Sequence, residues 1–328
     1  FYMGYTTFGL LMAYVVALIA ALIYAIWGFC HLYSFEKTMR ARPDFALMKS
    51  LMRFSGPTAF HDLALLIFMR MDIFAVKFFF SEAILGVYTI AQQFATSVEK
   101  IYQSFYPILA PVMAKNLVEK DFKTAESQMI MVSRWILMIQ SILVILCVFY
   151  GTVIFDAILP ADTDTSLALM GGIVLFFLMV GETINGGFGI ADLPVIYRSP
   201  LFNPVISLAM IPVYIFLTYL FTQYTEYGPV GVAMALCSTY LLMNLIRVAV
   251  IKKLFSINLL SFKVFKVIIA ALVTTGIFKM LKDYLPIDVN SGLGIAVGVA
   301  LLFIIYGLCL LLIAMEKKDI EKIKARFL

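Results

Sequence analysis

Long apolar runs separated by short polar connections dominate the 328 residues. A helix that crosses a membrane needs roughly 20 mostly apolar residues. Nine runs satisfy that length, at about 5–29, 55–80, 84–112, 130–155, 166–190, 200–222, 229–251, 262–283 and 291–315. They are too long for strands and lack period-two alternation, so the pattern predicts an all-α, polytopic membrane helical bundle of nine spans. Pro194, Pro200, Pro204 and Pro212 fall in and just before the sixth run, which predicts a kinked or discontinuous helix there. In "RPDFALMKSLMRFSGP" (42–57), Pro43 and Asp44 stand where a helix can start. Phe45, Met48, Leu51 and Met52 share one face, which predicts a short surface helix feeding the second span.

The polar positions inside the runs carry the functional information. A charge at bilayer depth costs about 2.5–3.5 kcal/mol on insertion scales, yet "IFMRMDIFAVKFFF" (67–80) holds Arg70, Asp72 and Lys77. His61, Leu65, Phe68 and Asp72 share a face, with Asp62 about 100° round and Arg70 roughly opposite Asp72. Residues two apart on a helix do not meet, so Arg70 and Asp72 need different partners, one in a cavity and one toward a neighbouring helix or the interface. The plainer alternative is that Arg70 snorkels and Lys77 marks the outer boundary. In the third span Tyr88, Thr89, Gln92, Gln93, Thr96, Ser97, Glu99, Lys100, Gln103 and Ser104 fall in one arc of about 180°. A helix split this way at membrane depth turns one side to water or a polar ligand. A surface-lying amphipathic helix is the competing reading, opposed by the length of the run and by the loop charges. The fifth span, "MVGETINGGFGIADLP", sets Glu182, Asn185, Gly186 and Gly189 on one side. Glu182 is either a coupling-ion or proton site or a hydrogen-bonded structural acid. The residues invite close helix approach or bending there.

Composition places the chain in a membrane. Apolar residues make up 63% and charged residues 14%, with a mean hydropathy of +0.99, where soluble domains run at ~45–50% apolar. The net charge of +5 is therefore read through its distribution among loops, not as a sign of nucleic acid. Lys and Arg crowd the 31–53, 113–134 and 247–266 connections and the tail, whereas 155–166 and 222–229 have none. That alternation puts the tail in the cytoplasm and Phe1 outside. The opening "FYMGYTTFGLLMAYVV" has no initiator Met or basic n-region and reads as the middle of a larger protein. Cys30, Cys147, Cys237 and Cys309 form no CxxC pair and read as small buried thiols. There are two histidines, His31 and His61, and no HExxH, GxSxG or phosphate-binding loop. "DTD" at 162–164 reads as a plain polar loop. Neither an enzyme nor a metal site is expected.

Four stretches, in order, resemble the Wzx-like polysaccharide flippases (O-antigen and capsule exporters) of the multidrug/oligosaccharidyl-lipid/polysaccharide (MOP) superfamily. "LMRFSGP" leads into a span ending "RMDIFAV"; "EAILGVYTIAQQ" is similar to the family's xGxY helix entry; "FYPILAPVMAK" resembles a Pro-containing helix exit; "YGPVGVAMALCSTYLLMNLIRVAVIKK" is similar to its YGxxGxAxA helix start. The resemblance implies that the nine spans are helices six to fourteen of a fourteen-helix protein with a MATE/MurJ-like transporter fold. Residues 1–30 would be the last helix of the first lobe and 31–54 a cytoplasmic linker with an amphipathic helix. Residues 55–253 would form the second six-helix lobe, 254–315 two additional C-terminal helices and 316–328 a cytoplasmic tail. It further implies export of a polyprenyl-diphosphate-linked oligosaccharide across the cytoplasmic (inner) membrane by alternating access, for surface polysaccharide or lipopolysaccharide synthesis. Gln92, Gln93, Gln103, Ser97 and Tyr88 would meet the glycan, and Lys100 and Arg70 the diphosphate, with Arg134 at the cytoplasmic entrance. No cofactor is implied beyond a coupling ion, Na⁺ or H⁺, with His61, Asp62, Asp72, Glu99, Glu182 and Asn185 as candidates. Partners would be the lipid-linked oligosaccharide, membrane lipids and other surface-polysaccharide assembly proteins. Rival readings are a MATE-type drug or cation antiporter and a membrane-embedded glycan polymerase or transferase.

Overall fold

A computed structural model describes residues 7–33, 44–160, 163–224, 227–284 and 292–315. Among them the order is α1 (Thr7–Leu32), α2 (Phe45–Phe79), α3 (Glu82–Val118), α4 (Phe122–Ile158), α5 (Thr165–Gly189), α6 (Asp192–Arg198), α7 (Phe202–Gln223), α8 (Pro229–Phe255), α9 (Phe262–Tyr284) and α10 (Gly292–Cys309). A π turn, Leu310–Ala314, continues α10. The described residues contain no strand. Seven helices, α1, α4, α5 and α7–α10, are long and apolar enough to cross a membrane. The expected second and third spans lie in α2 and α3, which are 35 and 37 residues long but less apolar. The chain divides into two compact units, Phe1–Gly56 and Pro57–Leu328. The first holds α1 and the opening turns of α2; the second holds the rest of α2 and the helices that follow.

Local sequence explains the helix ends. Asp121 caps α4 by accepting from the Thr124 N–H at 3.1 Å, and Asp164 caps α5 by accepting from Ser166 N–H at 3.0 Å. These bonds hold both carboxyls below the usual carboxylate range. Gly228 takes a positive φ of 52°, which lets the chain turn into Pro229 at the start of α8. Of the four prolines near the sixth run, Pro200 lies in the break between α6 and α7, while Pro194 and Pro204 sit in first turns, where their missing N–H costs nothing. Pro212 alone lies inside α7. The separate surface helix expected over 42–57 is not a separate element. From Phe45 the helix runs through Pro57 into the second span as the one element Phe45–Phe79.

Helix α5 is the hub, packed against α3, α4 and α8. Its contact with α4 is close because glycines face each other. A Cβ on Gly172 would lie 2.8 Å from the Thr152 nitrogen and 3.0 Å from the Gly151 carbonyl carbon. Those atoms are backbone and cannot step aside. Further along the seam, a Cβ on Gly187 would meet Leu137 at 2.5 Å, and the Ser133 hydroxyl donates to the Gly187 carbonyl at 2.6 Å. The C-terminal pair α9 and α10 packs on the other side of α4. Tyr306 donates to the Met138 carbonyl at 2.8 Å, and Arg134 donates to the Ala314 carbonyl at 2.6 Å.

Gly172→Ala forces α4 and α5 apart, an overpacking cost of about 1–3 kcal/mol. A drop of several degrees in the detergent-solubilised melting midpoint is the expected result. Gly276→Ala, where an added Cβ meets nothing within 4 Å, leaves the midpoint no lower than that of the parent.

Candidate functional site

Helices α2, α3, α5 and α8 border a partly open polar cavity of about 280 Å³. Leu66, Met69 and Arg70 come from α2; Gln92, Ala95, Thr96, Glu99 and Gln103 from α3; Leu178 and Glu182 from α5; Leu236 and Tyr240 from α8. The α3 contribution follows from its spacing. Residues 92, 96, 99 and 103 are three or four apart and form a strip only about 60° wide. Four other polar residues of the arc, Gln93, Ser97, Lys100 and Ser104, are exposed on a neighbouring strip. The Thr96 and Ser104 hydroxyls donate to carbonyls of their own helix, Gln93 and Lys100, at 2.8 Å each, and Ser97 donates to Gln93 at 3.4 Å. Such bonds let hydroxyls sit on a membrane helix without outside partners.

Asp72 lies behind the cavity and is fully buried. Gln92 Nε2 donates to both of its carboxylate oxygens, at 3.0 and 2.9 Å, and the Tyr88 hydroxyl donates at 3.2 Å. Gln92 therefore serves both places: it lines the cavity and holds Asp72. Arg70, two residues before Asp72, lines the cavity itself. The Phe68 ring, one turn before Asp72, packs edge-on against Tyr214 and Tyr240. Inside the cavity Gln103 donates to Glu99 at 2.8 Å. Glu182 is 7% exposed; Tyr240 and Asn185 are its polar neighbours, and its Oε2 has no hydrogen-bond partner. Asn244 of α8 donates to Asn185 at 3.3 Å.

Of the residues singled out from sequence, Arg70, Gln92, Gln103, Glu99 and Glu182 therefore meet around one space. Tyr88 and Asp72 lie directly behind it, and Asn185 adjoins Glu182. Gln93, Ser97 and Lys100 are not part of the lining. Arg134, expected at an entrance, is 4% exposed and bound to the end of the π turn, where it ties α10 to α4. The side chains of His61 and Asp62 lie outside the described residues. Sequence reasoning missed Tyr240 and Leu236, because 229–251 reads as an ordinary apolar span. It also treated the α3 arc as one face; the 92–96–99–103 spacing was the signal that separates the cavity strip from the strip of Gln93, Ser97, Lys100 and Ser104.

The lining carries one cation, Arg70, and two carboxylates, Glu99 and Glu182, with amides and a phenol between them. Such a set can hydrate or hydrogen-bond a polar solute in the interior of an apolar bundle. The family described as "Polysaccharide biosynthesis protein" matches residues 1–161, just under half of the chain. Over that stretch the chain is similar to polysaccharide biosynthesis proteins. The matched part supplies the α2 and α3 walls of the cavity; Glu182 and Tyr240 lie beyond it. No curated protein matches the chain.

Removing one member of the Asp72 group strands another. Gln92→Leu leaves the buried carboxylate with Tyr88 alone among side-chain donors, at a cost of about 1–3 kcal/mol. The melting midpoint is expected to fall, and to fall by less when Asp72→Leu is added, because the stranded charge is then gone. Additive losses in the double variant would show that the two residues do not interact.

Proposed function

We propose that the chain is part of a flippase that moves a polyprenyl-diphosphate-linked oligosaccharide across the cytoplasmic membrane for surface polysaccharide synthesis. The observation that carries this reading is the polar cavity within an otherwise apolar bundle, formed partly by the segment similar to polysaccharide biosynthesis proteins. A glycan headgroup cannot cross hydrocarbon unaided, and hydroxyl-rich solutes are bound by amides, carboxylates and aromatic faces. Gln92, Gln103, Glu99 and Tyr240 provide these. Arg70 is positioned to meet the diphosphate.

In this reading α2 and α3 complete nine spans, with Arg70 of α2 and the Gln92–Gln103 strip of α3 turned to the cavity. Residues 55–253 act as the second six-helix lobe of a MATE/MurJ-like fold, with 254–315 as two additional helices and the tail in the cytoplasm. Rocking of this lobe against a first one switches access between the two membrane faces. The chain acts as a transporter and not as an enzyme. Glu182, Asp72 or Glu99 binds the coupling ion, Na⁺ or H⁺, where one is used. The substrate's lipid tail stays in the bilayer throughout.

One observation favours a second reading, a MATE-type drug or cation antiporter of the same superfamily. Carboxylates outnumber cations in the lining, and Lys100 lies outside it. An acid-and-aromatic pocket suits an organic cation better than a diphosphate.

The two readings separate in cells that depend on the full-length protein for surface glycan. Arg70→Gln combined with Gln103→Ala is expected to abolish surface glycan while protein levels stay normal, with lipid-linked precursor accumulating inside. Retained glycan export, with loss of protection against cationic dyes instead, would establish the antiporter and remove the flippase reading.

A further inference from the structure

A second cavity, of about 680 Å³, lies among α4, α5, α8 and α9. It uses the faces of α5 and α8 opposite to those that line the polar cavity. Its walls are apolar, with Val144, Val180, Leu245, Val248, Phe265 and Ala271 typical of them. Its surroundings change at one end. One turn beyond Val248, α8 reaches Lys252 and then Lys253, both exposed and in its last turn. The first turns of α9 add Lys263 and Lys266, the latter with its Nζ 5.7 Å from the centroid of the exposed Phe262 ring. From Lys252 back to Leu241, a wall residue, α8 rises roughly 16 Å. A hydrocarbon chain laid along that path has its polar end at the lysines.

We propose that this groove and its basic end bind one phospholipid with an anionic headgroup, its acyl chain between α5, α8 and α9 and its phosphate on Lys252 and Lys253. Charge complementarity selects the occupant. A zwitterionic lipid fits the apolar walls equally well but brings its own ammonium to a site already rich in lysine. The site requires only that the chain crosses a bilayer and is independent of what the polar cavity carries.

The test uses the purified full chain, stripped of lipid in detergent and titrated with phosphatidylglycerol or with phosphatidylcholine of identical acyl chains, with bound lipid counted by native mass spectrometry. The expected result is one tightly retained phosphatidylglycerol per chain and no comparable phosphatidylcholine. Lys252→Gln with Lys253→Gln weakens phosphatidylglycerol binding about 30-fold, two charges near a membrane surface. Ala271→Phe, which fills the groove and leaves the charges in place, lowers retention as well. Equal retention of both lipids, or unchanged binding in the lysine variant, overturns the proposal. So does unchanged binding in Ala271→Phe, which would leave a headgroup belt without a groove. Displacement of phosphatidylglycerol by an equimolar polyprenyl diphosphate would also overturn it, assigning the groove to that lipid. The lysine variant is on the surface and decides the matter if Ala271→Phe does not fold.

Discussion

A carboxylate buried inside an apolar bundle has to be met by hydrogen-bond donors from the protein. That constraint governs the arrangement of this molecule. Asp72 receives two donors from α3, the Gln92 amide and the Tyr88 phenol, and this fixes how α2 and α3 face each other. Once Gln92 is committed to Asp72, the residues four, seven and eleven positions further along α3 are directed to the same side. Thr96, Glu99 and Gln103 then line a space that Glu182 and Tyr240 close from α5 and α8. Gln92 is the link between the two: it holds the buried carboxylate and contributes to the polar lining.

A second constraint sets the distances. Interhelical approach in an apolar bundle is limited by side-chain bulk, and here it is relaxed at chosen points by glycine. Gly172 lies against the backbone of α4 at Gly151 and Thr152, and Gly181 faces Cys237 and Tyr240 on α8. Helix α5 can therefore pack closely on both neighbours at once. This places Glu182, one residue beyond Gly181, next to Tyr240. The polar site and the packing are thus not separate designs: the small residue that brings the helices together also positions the acid that follows it.

How much of this could be read from the chain follows from the same physics. Runs of apolar residues with regular length identify helices without ambiguity, and their ends at Asp121, Asp164 and Pro229 are marked by residues with a local reason to be there. The polar side of α3 was legible because ten polar residues share one half of the helix. The narrower strip that borders the cavity was less so, since Lys100 and Gln103 are both long, polar and on the same half; only their register against α2 and α5 separates them. Arg134 was misleading for a related reason. A cation near a helix end looks like an entrance from sequence, but its partner, the Ala314 carbonyl, lies 180 residues away and belongs to a backbone that no side-chain pattern advertises. Tyr240 gave no signal, because a single tyrosine in an apolar span is as well suited to packing as to a site.

The polar cavity and the apolar groove lie back to back, sharing α5 and α8 as their common wall. Tyr240 lines the first and Asn244, one turn further along α8, lines the second. Asn244 donates to Asn185 and also to the Tyr240 carbonyl at 2.9 Å, while Asn185 neighbours Glu182. A shift of α8 against α5 therefore cannot reshape one space alone: it moves the phenol beside Glu182 and the amide at the edge of the groove together. Two spaces of opposite polarity thus share one wall, and the Asn185–Asn244 amide pair joins the residues that border them.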